Sequence, residues 1–242
     1  MARSIPADRF PAVISAAARV FITHGYQRTQ VQDVADALGL AKGTLYGYAQ
    51  SKAALFAAAV RYADGLEPVP EPADLPVATP GDGEIAALVS ARLLGEIANM
   101  KLTQFVGDPA NATDVDAELA VIVTDLYTRL ARHRIALKLV DRCAPELPDL
   151  ADVWFGAGRD AQIGALESYF VRRQRAGSVA LPGPAPVLAR TVVELCALWA
   201  VHSHFDPAPA PHSTAWAGAI DDDTVAATLA ELVVRATAPK SN

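Results

Sequence analysis

The sequence predicts an all-α protein: an N-terminal three-helix helix-turn-helix domain followed by a larger helical body. Three observations predict it. Apolar residues recur at helical spacing through stretches of 15 to 30 residues, with few β-branched alternations, no convincing strand and no internal repeat. Prolines and glycines punctuate those stretches, densely at Leu66–Gly83 and more briefly at Asp108-Pro109, Ala144–Pro148, Gly177–Pro186 and Pro207–Pro211. The 242 residues are 52% hydrophobic and 20% charged. That is ample material for a buried core and excludes collagen-like, mucin-like and largely disordered chains.

The first helix is marked by Phe10, Val13, Ile14, Ala17, Val20 and Phe21, an apolar stripe on one helical face. Pro11 is tolerated in its first turn, and Gly25 supplies its stop. The second helix opens at Thr29, with Gln32 three residues on as a capping-box pair, and buries Val31, Val34, Ala35 and Leu38. Gly39 permits a tight turn before a third helix with Leu45 directed inward. The Ala35, Gly39 and Leu45 spacing is that of a helix-turn-helix: a small residue for close crossing, glycine for a positive φ, leucine to pin the third helix.

Between residues 66 and 83, Pro68, Pro70, Pro72, Pro76 and Pro80 exclude a continuous helix, so a partly extended connector is expected. Helical stretches follow at 84–107, 114–143, 149–176, 185–204 and 221–237, with Asp114 and Asp221 as N-caps and Gly177 as a stop. The domains are therefore 1–64, a connector 65–83, and a body 84–242. Two stretches of that body are apolar on one side: Val192, Val193, Leu195, Cys196, Trp199 and Ala200, then Val225, Leu229, Leu232 and Val233. They can fill one chain's core or face a second copy in a four-helix interface.

Charge is segregated. Residues 1–64 sum to +3 and residues 65–242 to −9, giving the total of −6. A basic head on an acidic body fits polyanion binding by the head. The longest charge-free runs, 176–189 and 207–220, have 14 residues and three prolines each, against the ~20 apolar residues of a spanning helix. No membrane span is expected. Met1–Phe10 carries Arg3, Asp8 and Arg9 without the apolar stretch of a signal peptide. Cys143 and Cys196 cannot build a disulfide framework, so buried thiols and a cytoplasmic location are expected.

Catalytic signatures are missing: no Gly-rich phosphate loop, His-Glu-x-x-His, Cys-x-x-Cys or Gly-x-Ser-x-Gly occurs. Neither an enzyme nor a cofactor is expected. His202 and His204 lie on different helix faces, and a metal set of His202, Cys196 and Cys143 has no supporting spacing. Asp221-Asp222-Asp223 reads as a helix start favoured by the dipole.

The ordered run Phe21-Ile-Thr-His-Gly-Tyr26, Thr29, Val34-Ala-Asp-Ala-Leu-Gly-Leu-Ala-Lys-Gly-Thr-Leu-Tyr46, Ser51-Lys52 and Leu55 resembles the DNA-binding domain of TetR-type regulators over residues 9–62. The resemblance implies an all-α homodimer whose heads bind an operator in double-stranded DNA and whose body holds a small-molecule effector that releases it. Repression is the implied outcome. Two departures stand out. Ala41 takes the place of a Ser or Thr N-cap, forfeiting a bond of ~1 kcal/mol. Gly47-Tyr48-Ala49-Gln50 lacks the phenylalanine that usually precedes Ser-Lys. Together they predict a short or frayed recognition helix. They also motivate an alternative, an all-α small-molecule-binding protein whose head has lost specific DNA binding.

Lys42, Thr44 and Tyr48 are the candidates for entering the major groove. The resemblance implies that Thr29, Gln30, Tyr46 and Lys52 position the sugar–phosphate backbone, with Arg28 beside them. Tyr46 reads equally as a core aromatic, and Lys52 as a solvated helix end. In the body, Met100, Phe105, Tyr127, Trp154, Phe155, Tyr169 and Trp199 could line an apolar effector cavity, although each is individually more typical of plain core.

Overall fold

The computed structural model describes residues 9–105, 114–205 and 221–239, with backbone alone at 157–159. Twelve α-helical segments run through them: α1 Phe10–His24, α2 Val31–Ala37, α3 Lys42–Leu45, α4 Lys52–Tyr62, α5 Glu84–Ala98, α6 Lys101–Gln104, α7 Val115–Arg132, α8 Arg134–Cys143, α9 Pro148–Val153, α10 Arg159–Arg175, α11 Ala185–Ala197 and α12 Asp222–Thr237. Among the described residues there is no strand, only an isolated parallel bridge between Ala49 and Val77. The charges of Arg3 and Asp8 and the breaks at Asp108-Pro109 and Pro207–Pro211 lie outside the described residues.

Several expected helices divide. The stretch 84–107 breaks at Asn99, whose side-chain amide turns back onto the Gly95 carbonyl at 2.8 Å. The stretch 114–143 breaks at His133, which sits off the helical backbone (φ −109, ψ 19). The stretch 149–176 is interrupted at Trp154–Gly158, where Gly156 is non-helical. The expected caps form. Asp114 Oδ1 accepts from Ala117 N at 3.0 Å, and Asp221 Oδ1 from Thr224 N at 2.7 Å. Donation from Thr224 holds the Asp221 carboxyl below its ordinary range. Gly177 ends α10 with φ +71.

The chain divides into two compact units. The first runs to Ala91 and resumes at His133–Gly156; the second comprises Arg92–Arg132 and the residues from Ala157 onward. The first unit thus takes in α8 and α9 together with the N-terminal helices. There α1 packs against both α4 and α8, and Phe10, Val13, Ile14, Ala17 and Phe21 are buried with Leu55, Phe56, Leu139 and Val140. Phe21 and Tyr26 both meet Phe56 edge-on, at 5.1 and 5.3 Å between centroids. Beyond α4, the Asp64 carboxylate accepts from Ile135 N at 2.8 Å and Ala136 N at 3.0 Å. An anion on the first free amides of α8 satisfies orphan donors and meets the positive end of the helix dipole.

In the second unit α7 packs along α12, while α11 packs on α10 and α7. Tyr127 donates its hydroxyl to Asp222 Oδ1 at 2.7 Å. Arg129 gathers Asp125, Glu96 and the Asn99 carbonyl. Between α7 and α10, Arg173 donates to both oxygens of Glu118 at 2.7 Å, with side-chain exposures of 3% and 5%. The Tyr169 ring lies 5.5 Å from that guanidinium. Burial, and then the Glu118 charge, push its phenol above the ordinary range. By length and composition the stretch Ala185–Phe205 could cross a membrane, with mean hydropathy 1.3. Its α11 part packs on α10 and α7, and its charges Arg190 and Glu194 pair at 3.5 Å one turn apart.

Both cysteines are free and buried, and burial pushes each thiol up to about 12. A thiol with a raised folded pKa keeps the fold's full stability below pH 9 and loses it as pH rises towards 12. Unfolding measured between pH 8 and 10 should therefore show stability falling as pH rises through 9, with a slope that grows towards about 1 kcal/mol per pH unit per thiol. A doubly Cys→Ser chain, compared with its own value at pH 8, should lose that slope.

Candidate nucleic-acid interface

The α1–α2 turn is built from glycine and shared carbonyls. Gly25 ends α1 at φ 83 and ψ 175, a region essentially restricted to glycine. The buried Thr29, 1% exposed, turns its hydroxyl onto the Gly25 carbonyl at 2.6 Å. That back-bond removes Thr29 from capping. The N-cap of α2 is Gln30, and the box partner is Asp33, whose carboxylate accepts from Gln30 N at 2.7 Å. The expected Thr29–Gln32 box is thus displaced by one residue.

Gly39 makes the next turn with φ +64, and α3 follows with its N-cap Ala41 offering no side-chain bond. The helix is short, as the apolar cap and Gly47 predict. Leu45 is fully buried, whereas Lys42, Gly43 and Thr44 are exposed and Tyr46 is 42% exposed. Arg28 and Gln30 are exposed as well. These residues form one outward polar set on the turn and helix of a single motif.

Besides the buried Thr29, whose hydroxyl is held by the Gly25 carbonyl, two further candidates are placed differently. Tyr48 is fully buried, because the turn after α3 carries it inward beside Ala49; it does not present its ring to a groove. Lys52, the first residue of α4, directs its ammonium to the Tyr26 carbonyl at 3.0 Å and the Gln27 carbonyl at 3.3 Å. It also lies 4.6 Å over the Tyr26 ring. Its charge is drawn into holding the α1–α2 turn.

Other supports of this surface come from far along the chain. Glu146 accepts from Gln27 N at 2.5 Å and pairs with Arg142 at 3.2 Å, from 119 residues away. Val77 and Thr79 bond to the segment 48–51. No local pattern announces any of them.

The effector candidates do not assemble as one set. Trp154 and Phe155 belong to the first unit, where Trp154 donates to Asp141 at 3.3 Å and Phe155 is 45% exposed. Met100, Phe105, Tyr127, Tyr169 and Trp199 belong to the second unit. Met100, Tyr127 and Tyr169 are buried there. A pocket of about 270 Å³ in the first unit is lined by other residues, including Ala53, Pro80, Ile85, Leu147 and Leu150.

A helical protein that displays a short helix, a glycine turn and a second helix with an outward polar face is of the helix-turn-helix class. Residues 13–59 match the profile of a family described as "Bacterial regulatory proteins, tetR family". The head over those residues is a helix-turn-helix of the TetR type. No curated protein sequence matches it. Its fold is shared with solved structures. A tetR-family regulatory protein from Rhodococcus RHA1 is 18% identical over 96% of this chain and 99% of its own, with a TM-score of 0.52. The ketosteroid transcriptional regulator KstR2 of Mycobacterium tuberculosis is 13% identical over 99% and 100%, with a TM-score of 0.57. AibR, solved with isovaleryl coenzyme A and operator DNA, is 16% identical over 93% and 97%, with a TM-score of 0.50.

Proposed function

We propose that the chain is a cytoplasmic repressor that binds a palindromic operator as a homodimer and is released by a small-molecule effector. Each head would set α3 in a major groove, the two lying about one helical turn (~34 Å) apart. Residues 1–64 would bind DNA, 65–83 would join, and 84–242 would dimerise and hold the effector, without enzymatic activity. One observation carries the reading: Lys42 and Thr44 on α3, and Tyr46 just after it, stand outward while Leu45 of the same helix is buried. AibR, whose solved complex holds an acyl thioester of coenzyme A and operator DNA together, supports the pairing of the two partners on this fold. Met100, Phe105, Tyr127, Tyr169 and Trp199, all in the second unit, are the residues from which an apolar effector site would be drawn. Release follows by linkage: an effector preferring the arrangement that cannot span two half-sites lowers DNA affinity by the same factor.

The test is selection of duplexes from a random pool, followed by titration against selected and random DNA. Thr44→Ala should relax preference at one base pair by about 1–3 kcal/mol. Arg28→Ala should weaken binding to every duplex alike and lower the salt slope by about one. A wild-type protein that selects no sequence overturns the reading and favours the ligand-binding alternative.

A further inference from the structure

The exit of α3 is the weakest-built part of the head. The helix has four residues, no side-chain cap, and glycines at 43 and 47, so its own hydrogen bonds give it little persistence. The segment after it must find partners for the backbone groups of residues 48–50 before α4 begins at Lys52. Tyr48 N and Ala49 N turn back to the Leu45 carbonyl at 2.8 and 3.0 Å, while partners for the Tyr48 carbonyl and Gln50 N come from the proline-rich segment. Val77 N donates to the Tyr48 carbonyl at 2.9 Å, and Gln50 N donates to the Val77 carbonyl at 3.0 Å. Thr79 N donates to Gln50 Oε1 at 3.2 Å. The Thr79 hydroxyl donates to Ser51 Oγ at 2.8 Å, the same oxygen that caps α4 by accepting from Ala54 N at 3.1 Å.

The geometry points to a recognition role for this segment: Val77–Thr79 is a strap that fixes the exit of α3 and thereby the aim of Thr44 and Tyr46. This rests on the DNA-binding reading above. The strap residues are positioning residues. Reading a base edge demands placement to within ~0.5 Å, whereas long cations on phosphates tolerate displacement. Slackening the strap therefore costs sequence preference before it costs general affinity. The connector is thus a working part of the head, built from the segment whose prolines exclude helix.

The test compares Val77→Pro, which removes the donor to Tyr48, with Thr79→Val and Thr79→Ser. The probes are duplexes selected by the wild-type protein and random duplex of equal length. Val77→Pro should bind selected duplex about tenfold more weakly, and Thr79→Val about fivefold, with random duplex held within about twofold. Thr79→Ser, which keeps the hydroxyl, should retain wild-type preference. Hydrogen exchange at the Gln50 amide should quicken in Val77→Pro. An unchanged ratio of selected to random affinity in both Val77→Pro and Thr79→Val overturns the strap while leaving the DNA reading intact. Should Val77→Pro not fold, equal ratios for Thr79→Val and Thr79→Ser overturn it. A wild-type chain that selects no duplex overturns the reading, and the strap with it.

Discussion

Replacing Arg173 by leucine should cost about 3–5 kcal/mol of folding stability, because it strands the Glu118 carboxylate inside the second unit. Both Glu118 oxygens accept from the Arg173 guanidinium at 2.7 Å, and both side chains are almost wholly buried. With its partner gone, Glu118 must keep an uncompensated charge out of water, take up a proton, or swing out to reach solvent. Joint replacement of Glu118 and Arg173 by leucines should restore most of the loss, since the pair's attraction chiefly offsets its own desolvation. Urea unfolding of the single and double variants checks this, with amide exchange along α7 and α10 reporting the local opening. A single-variant loss under about 1 kcal/mol would mean that the pair is solvated like a surface bridge.

Gly25→Ala should destabilise the first unit by about 1–3 kcal/mol from backbone strain alone. A second cost adds to it, because a Cβ there would collide with the Glu146 carboxylate and come within 2.9 Å of the Arg142 guanidinium. The two costs separate in a cycle with Glu146→Ala. That change relieves the collision but not the strain, so Gly25→Ala should cost less in the Glu146→Ala background. Melting of the four proteins measures it, and equal costs in the two backgrounds would show that the side chains simply move aside.

The outline of the head was legible because its signals are local. The stripe from Phe10 to Phe21 is buried as its spacing requires, and Gly25, Gly39 and Gly177 take the positive φ that their turns need. Where side chains had alternative partners, local reading failed. Thr29 looks like an N-cap, yet its hydroxyl reaches back to Gly25 and leaves capping to Gln30 and Asp33. Lys52 looks like a phosphate ligand at a helix start, yet carbonyls 25 and 26 residues earlier engage it. Tyr48 is two residues from the exposed Tyr46, and only the turn between them decides that its ring goes inward.

What spans long separations was not legible at all. The Glu146 bond to Gln27 and the Asp64 bonds to the start of α8 join segments 71 to 119 residues apart. Nothing in composition or periodicity pairs them. The proline content of 66–83 correctly excluded a continuous helix, leaving only a 3-10 turn at Pro72–Asp74, but it says nothing about which backbone groups the segment would satisfy.

Because α8 and α9 belong to the unit that begins the chain, that unit is sewn from two lengths of polypeptide with some forty residues of the other unit between them. A ribosome that has released α1 to α4 has not yet made Cys143, which lies against the Phe21 carbonyl. The helix-turn-helix end therefore waits, half-covered, for much of synthesis. A fragment cut after residue 64 would keep α3 and lose the wall behind α1.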